Sequence, residues 1–196
     1  MLFISIIFGF GGLGSELTHV VDWWQPITLT HTRIGFEDFI IGFCIGGVAS
    51  VIYESVYNRR LSQKSSLALS PKNPWVFLIA FPLVYLVLFY QLGINSFYSV
   101  VVTYLVFIAF MLINRKDLIK DSLLSGLLML CIGIFIYFVL FILYPNYIRE
   151  FWYLPRRWYS DLIFGIPAGE YVWYFLTGAY IGPLYEFIKR RKILDL

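Results

Sequence analysis

Two carboxylate residues, Asp38 and Glu170, stand near the start of two apolar segments that are similar in sequence. The segments, residues 34–60 and 166–192, align without a gap at an offset of 132 positions, so that one acid meets the other. Placing an ionisable group in an apolar, membrane-spanning stretch costs free energy, which makes such a group a functional-site hypothesis by default. Carboxyl groups there can transfer protons or bind cations. The internal repeat argues against a chance arrangement.

A second pair of carboxylates, Glu54 and Glu186, follows the first pair by 16 residues. At 1.5 Å per residue this separation is about 24 Å along a helix, which reaches the far side of the hydrocarbon layer. We interpret this second acidic layer as ion-paired with, or extended to the interface beside, the basic residues around it: Arg59, Arg60, Lys189 and Arg190. The alternative is the inner gate of a transporter.

Glu16 and His19 share one helical face, because they are three residues apart. Di-iron carboxylate bundles use this spacing, but they need a second copy, and His31 has no glutamate three residues before it. We therefore expect an interior hydrogen-bonded polar pair, and neither a metal nor another cofactor. The glycines of residues 9–14 fit a nucleotide-binding pattern by letter, but no strand precedes them, so close helix packing is the better interpretation.

The composition is that of an integral membrane protein. Hydrophobic residues make up 60% of the 196 residues and charged residues only 14%, whereas soluble domains are about a quarter charged. We predict one all-α membrane domain over residues 1–196, in contact with membrane lipids and without a nucleic-acid partner. Cys44 and Cys131 lie in separate apolar runs, which gives no disulfide framework.

Six apolar stretches are near the roughly 20 residues that cross a bilayer. The second and sixth run in the same direction, so the repeat is parallel, and we expect these two helices to pack together through their glycines. The first stretch is expected to be a retained helix rather than a signal peptide. The predicted spans are residues 2–21, 34–57, 75–93, 97–113, 122–144 and 168–188.

Loop charges predict the orientation. The loops at 58–74 and 114–121 and the C-terminal tail carry eleven Lys and Arg residues, whereas the opposite side carries four. The positive-inside rule then places both termini in the cytoplasm, in our interpretation at a prokaryotic plasma membrane. The outer loops contain Trp-rich runs at 22–26 and 151–155, and each leads into an acidic segment. These tryptophans form either an interfacial aromatic belt or a surface that contacts substrate.

Two short motifs resemble those of the lycopene cyclase domain, which occurs in the heterodimeric bacterial and the fused archaeal and fungal carotenoid cyclases. That family carries P-x-E-[E/D] at the start of the third helix of each three-helix membrane repeat, followed by aromatic residues. Gly35-Phe36-Glu37-Asp38 keeps both acids but has glycine for proline, and Pro167-Ala168-Gly169-Glu170 keeps the proline and the last acid. The similarity is strongest over two stretches of about 25 residues.

The resemblance implies cofactor-independent cyclisation or isomerisation of an apolar isoprenoid, in which a carboxylic acid protonates a terminal C=C bond and a base removes a proton. Glu37, Asp38 and Glu170 are the implied catalytic residues. A protonated acid in such a site requires burial in a low dielectric. The implied substrate-binding aromatics are Phe36, Phe39, Tyr171, Trp173 and Tyr174, together with Phe175. The family also implies a homo- or hetero-oligomer.

Other interpretations of the repeated acids remain open. Asp or Glu in the first turn of a helix caps free N–H groups and favours the positive end of the helix dipole, which is a structural role. Two further function classes are a small transporter and a non-catalytic lipid-binding protein that retains the fold. Against transport, the second and sixth spans have no evident break at their midpoints, and Pro183 lies late in the sixth.

The orientation yields a direct prediction. With Cys44 and Cys131 replaced, single cysteines at positions 64 and 158 are expected to react with an impermeant thiol reagent from opposite faces of the membrane, position 64 from the inside. Labelling of both positions from the same face would rule out this topology.

Overall fold

The chain folds into a bundle of helices with two small two-stranded antiparallel sheets. The computed structural model describes residues 1–29, 31–57, 60–64, 74–189 and 191–194. The longer helices are α1 (Leu2–Asp22), α2 (Phe36–Ala49), α4 (Pro74–Leu86), α5 (Ser96–Asn114), α6 (Ile119–Leu143) and α8 (Ala168–Ile181). Shorter helices are α3 (Ile52–Tyr57), α7 (Tyr147–Phe151) and α9 (Leu184–Lys189). The predicted all-α class is confirmed.

The remaining elements are short. A π-helix, Val87–Gln91, continues α4, and 3₁₀ turns occur at Lys116–Leu118 and Trp158–Ser160. Strand β1 (Arg60–Lys64) pairs antiparallel with β4 (Arg191–Leu194), so the segments that follow the two acidic helices meet. Strands β2 (Leu162–Ile163) and β3 (Ile166–Pro167) form a tight hairpin that leads into α8.

Four helical stretches in the described part of the chain are long and apolar enough to span a membrane: residues 2–22, 36–57, 96–114 and 116–143. They correspond to four of the six predicted spans. The third predicted span is a shorter apolar helix at 75–91. The sixth is divided into α8 and α9. The count of six therefore stays a prediction, as do the choice of membrane and the orientation.

The two repeated segments have matching element boundaries. α2 and α3 begin and end 132 residues before α8 and α9 at all four bounds. A structural repeat would produce this correspondence, although the superposition of the two segments remains a prediction.

Each repeated helix is interrupted towards its C-terminal end, beyond the midpoint at which the sequence predicted no break. Ser50 and Val51 separate α2 from α3, and the Ser50 hydroxyl donates to the Gly47 carbonyl at 2.9 Å. Gly182 and Pro183 separate α8 from α9, because proline has no N–H to continue the helix. Each break follows 14 helical residues, about 21 Å from the acidic start, and so lies beyond the middle of the span.

The glycines pack each repeated helix against the helix before it. A Cβ at Gly42 would lie 2.2 Å from the Phe8 carbonyl oxygen, which shows that α2 is in backbone contact with α1. A Cβ at Gly178 would lie 2.4 Å from the Ser125 carbonyl oxygen, so α8 is in backbone contact with α6. The prediction that α2 and α8 pack on each other through these glycines is wrong. The small residues instead build two tight helical hairpins, α1–α2 and α6–α8.

An aromatic core joins the two hairpins through α4 and α5. The buried Tyr180 ring of α8 stacks on Phe81 of α4 with ring centroids 4.6 Å apart. Tyr104 of α5 lies against the same ring and bonds the Thr177 hydroxyl at 3.1 Å. Phe81, Tyr104 and Tyr180 of this layer line the space between the hairpins, as do the acids of the two helix starts.

Backbone contact at Gly42 makes it sensitive to one added methyl group. Gly42→Ala is expected to destabilise the protein by about 1–3 kcal/mol, because the Phe8 backbone cannot move away without shifting α1. The measurement is thermal unfolding in detergent. Gly11→Ala is the matched control, since no protein atom lies within 4 Å of a Cβ there. Its stability should be unchanged or higher. An equal loss of stability in both variants would contradict the backbone contact between α1 and α2 at Gly42.

Candidate active site

A cavity of about 560 Å³ lies between the two hairpins, and carboxyl groups from three helices line it. Asp38 comes from the start of α2, Glu170 from the start of α8, and Glu16 from α1. All three side chains are buried. Most of the remaining wall is apolar or aromatic. The structure therefore places the two repeated acids on the wall of one cavity, as the predicted paired site requires.

The Glu170 carboxyl is held by indole groups from both outer loops. Its Oε1 atom accepts the Trp23 indole N–H at 2.7 Å and the Trp152 indole N–H at 3.3 Å. The Tyr137 hydroxyl of α6 interacts with the same carboxyl. A buried carboxyl without such donors would carry a large desolvation cost. Because both indoles use Oε1, Oε2 is left to carry a proton or to accept the Tyr137 hydroxyl.

Trp23 is itself fixed by a stack of aromatic rings. Its ring lies parallel to Tyr159 with centroids 5.9 Å apart, and Phe97 packs on it at 4.6 Å. Burial raises the pKa of the Tyr159 hydroxyl, so this residue packs as a neutral ring. The stack comes from three separate elements and fixes the direction of the Trp23 N–H.

Asp38 occupies the equivalent helix position but makes a different bond. Its Oδ2 accepts the Gly35 backbone N–H at 2.7 Å, which caps the start of α2. Glu170 cannot do the same, because Pro167 stands at the position of Gly35 and has no N–H. The expected capping role of the repeated acids is thus present for Asp38, whereas Glu170 is bound by side chains alone.

The two Trp-rich loops pair with each other above the cavity. Gln25 N–H donates to the Phe151 carbonyl at 2.7 Å, and Tyr153 N–H donates to the Trp23 carbonyl at 3.0 Å. Trp24 and Trp152 form a β-bridge, with ring centroids 5.2 Å apart. Trp23, Trp24 and Trp152 all line the cavity. At least these three tryptophans therefore face the candidate site.

The comparison with protein families agrees with this geometry. The family described as lycopene cyclase matches residues 1–56 and 95–188, which include both hairpins and both acidic helix starts. The chain belongs to the lycopene cyclase family. Among curated proteins and solved structures, none matches the chain. The matched regions omit residues 57–94, and this omitted stretch contains α4. The membership makes the protein a carotenoid cyclase-like membrane protein.

Glu37, the third acid of the lycopene cyclase motifs, points away from the cavity. Its Oε1 accepts the Leu29 backbone N–H at 2.7 Å and so ties the preceding loop to the start of α2. It is not among the described residues that line the cavity. The geometry gives Glu37 a positioning contact, while its predicted catalytic role stays a prediction.

The predicted aromatic residues divide into two groups. Trp173 and Tyr174 line the cavity. Phe36 is exposed, Phe39 packs over Gly9, and the Tyr171 hydroxyl donates to the Ile163 carbonyl at 2.7 Å. Phe175 packs on Gly126. The sequence argument missed Tyr85, Tyr104 and Tyr137, which all line the cavity, because hydroxyls in the middle of apolar spans carry no motif.

Both residues of the predicted interior pair lie on the cavity wall, while the hydrogen bond expected between them stays a prediction. Glu16 and His19 both line the cavity, and the His19 ring lies 6.1 Å from the rings of Trp23 and Tyr85. Glu16 interacts with the Trp24 indole and lies within electrostatic range of Asp38. Within the described residues no group of His, Cys, Asp or Glu has the arrangement of a metal site. The pair therefore contributes polar groups to the candidate site.

The second acidic layer, Glu54 and Glu186, follows the breaks in the two repeated helices. It also includes Asp121, which the sequence analysis did not predict. Glu186 is only 2% exposed and lies near Glu54 and Asp121. It is thus buried and does not extend to the interface. Arg115 donates to the Glu186 carbonyl at 3.4 Å and to the Asp117 carboxylate. Arg59, Arg190 and the Arg60 side chain, which were predicted partners, lie outside the described residues, and Lys189 is exposed.

The hydrogen bond between Trp23 and Glu170 is expected to contribute to stability by joining the α1–α2 hairpin to the α6–α8 hairpin. Trp23→Phe keeps a stacking ring but removes the donor, which should cost about 1–3 kcal/mol. In a Glu170→Leu background the same change should cost much less, since no acceptor remains. A double-mutant cycle on thermal unfolding in detergent measures this coupling. Equal costs in both backgrounds would show that the bond contributes nothing to stability.

Proposed function

We propose that the protein catalyses a cofactor-independent, acid-catalysed cyclisation or isomerisation of an apolar isoprenoid of the carotenoid class. One observation carries the proposal: Asp38 and Glu170 come from repeated helix starts and line one largely apolar cavity. Family membership supports the substrate class. An apolar polyene fits such walls, and two carboxyl groups supply the two proton transfers that the reaction needs.

Glu170 is the proton donor in this proposal. Its Oε2–H protonates the terminal C=C bond of the polyene, and the electron pair of that bond forms the new C–H bond. A tertiary carbocation results. The indole N–H groups of Trp23 and Trp152 on Oε1 stabilise the carboxylate that Glu170 becomes. The Tyr159 ring stacked on Trp23 fixes that indole and keeps the carboxyl oriented toward one place in the cavity.

Asp38 is the proton acceptor. A neighbouring C=C bond attacks the cation and closes the ring, and Asp38 then removes a proton from an adjacent carbon to restore a double bond. A carboxylate accepts the Gly35 N–H better than a neutral acid does, and the helix start favours negative charge. The substrate gains one proton and loses one, so its formula is unchanged and no electrons are transferred.

Aromatic side chains support the cationic intermediate. Trp173 and Tyr174 present ring faces or edges to the cavity, and aromatic faces attract cations. The paired outer loops cover the acids on the outer side and keep water away from a carbocation that water would capture. The second acidic layer lies at the opposite end of the helices and takes no part in these steps. Assembly with a second membrane subunit belongs to the proposal, as the family implies.

The proposal predicts loss of product when either carboxyl becomes an amide. In cells that accumulate lycopene, the wild type should yield a ringed product by chromatography. Asp38→Asn and Glu170→Gln should each lower the yield at least about a hundredfold, the lower end of what general acid–base catalysis contributes. Glu37→Gln should retain most activity, because an amide oxygen can still accept the Leu29 N–H.

Glu150→Gln is the matched control, because Glu150 is an exposed glutamate whose carboxylate bonds the Tyr144 hydroxyl. Each assay is run with and without coexpressed neighbouring membrane genes, since a partner subunit belongs to the proposal. No ringed product from the wild type in either arm would reject lycopene cyclisation. Full activity of both amide variants would instead reject the acid assignment and leave the two carboxyls a structural role.

A further inference from the structure

We propose that the cavity opens sideways into the bilayer through a window between α1 and α4, and that a long apolar polyene enters there with only its reacting end enclosed. The window is lined by Ile7, Gly11 and Gly14 of α1 and by Leu78, Pro82 and Leu86 of α4. The identity of the entering chain rests on the proposed function. The opening itself rests on the packing of the two helices.

A side-chain contact between α1 and α4 bounds the proposed window at each end. The Phe3 and Trp75 rings meet edge to face with centroids 5.8 Å apart, which joins α1 to α4 near one membrane face. The Thr18 and Tyr85 hydroxyls bond at 2.5 Å, which joins the same helices near the other. Between these contacts α1 advances 15 residues, about 22 Å. Over the same interval α4 advances ten residues, about 15 Å, so the two contacts join α1 to α4 at both ends of the interval.

Glycines leave the middle of this interval open on the α1 side. Gly11 and Gly14 lie on the same face as Phe3 and Thr18, line the cavity and are exposed. No atom of another helix or loop lies within 4 Å of a Cβ built on either residue. Gly9 and Gly12 behave in the opposite way, since a Cβ there would lie 2.7 Å from the Phe39 ring and 2.3 Å from the Asp38 carbonyl oxygen. Gly11 and Gly14 therefore keep space free, whereas Gly9 and Gly12 are packed.

The α4 side supplies an apolar edge. Leu78, Pro82 and Leu86 recur at one-turn spacing and line the same cavity, and Pro82 is exposed. All six window residues are apolar or glycine, so the opening faces lipid without a charged side chain. α4 lies in the stretch that the lycopene cyclase family match omits. This wall is therefore contributed by a part of the chain outside the matched regions.

The volume of the cavity favours a polyene substrate that is only partly enclosed. About 560 Å³ is typical of a small-molecule pocket, and ring closure engages only the terminal carbons of a polyene. The rest of a long, stiff polyene must leave the cavity through an apolar opening. Exposed apolar side chains such as Phe10 of α1 and Ile79 and Leu83 of α4 suit contact with lipid, so in this proposal the window leads the unreacted part into the bilayer. The enzyme then acts on one end of its substrate at a time.

Substitutions that enlarge the side chain at Gly11 or Gly14 test the window and leave Asp38 and Glu16 unchanged. Gly11→Phe and Gly14→Phe should fill the opening, whereas Gly11→Ala should leave it passable. Ile6→Phe is the control for added bulk, because Ile6 is an exposed α1 residue that does not line the cavity. All variants carry Glu170→Gln to prevent turnover. Thermal unfolding in detergent verifies that each variant folds.

Binding is read by the circular dichroism that an achiral polyene acquires in a chiral site, with lycopene titrated into the detergent-solubilised protein. Lycopene dissolved in micelles alone gives no such signal. The two glycine-to-phenylalanine variants should bind at least about tenfold more weakly than the two controls, a change equal to about 1.4 kcal/mol. Equal binding in all four variants overturns the window, and the absence of a lycopene signal in both controls overturns the polyene as the chain that enters it.

The outcomes separate this inference from the proposed function. Window-dependent lycopene binding by a protein whose wild type forms no ring would reject the catalysis and uphold the window. Copurifying phospholipid is quantified by mass spectrometry in the same variants. Retention of phospholipid that depends on the window, without lycopene binding, would make an acyl chain the occupant and overturn the polyene assignment.

Discussion

The need to satisfy a carboxyl group buried in an apolar bundle organises this structure. Glu170 takes indole N–H bonds from Trp23 at the end of α1 and from Trp152 beyond α6. One acid therefore links both helical hairpins. The outer loops pair above it through backbone bonds, and the Tyr159 and Phe97 rings fix the Trp23 indole. Without these donors the burial of Glu170 would oppose folding.

Glycine spacing decides where the bundle is closed and where it is open. Gly12 and Gly42 bring α1 and α2 into backbone contact, and Gly178 does the same for α8 against α6. In a bilayer such contacts are a main source of helix association, because lipid is as apolar as the side chains. Gly11 and Gly14, one or two residues away from a packed glycine, contact no other element. The same residue type thus seals one face of α1 and leaves the next face free.

The sequence predicted the parts of the site that depend on local chemistry. The paired acids, the Glu16–His19 face and the cavity positions of Trp173 and Tyr174 follow from motif, spacing and burial, and the structure places them around one cavity. Tyr137 and Asp121 could not be predicted, because a single hydroxyl or acid in an apolar helix has no periodic signal. The partner of the glycine faces was also mispredicted. A glycine face indicates close packing but does not specify which neighbour approaches it.

The two acidic helix starts show how one local substitution can separate the roles of equivalent residues. Gly35 offers a backbone N–H to Asp38, so Asp38 is held at its own helix terminus. Pro167 removes that N–H, and Glu170, longer by one methylene, bonds the tryptophans of two distant loops instead. A catalyst that must donate a proton at one point and accept one at another needs two carboxyls in unlike surroundings. The two similar helix starts carry one carboxyl each, and the difference between glycine and proline makes the surroundings of these carboxyls unlike.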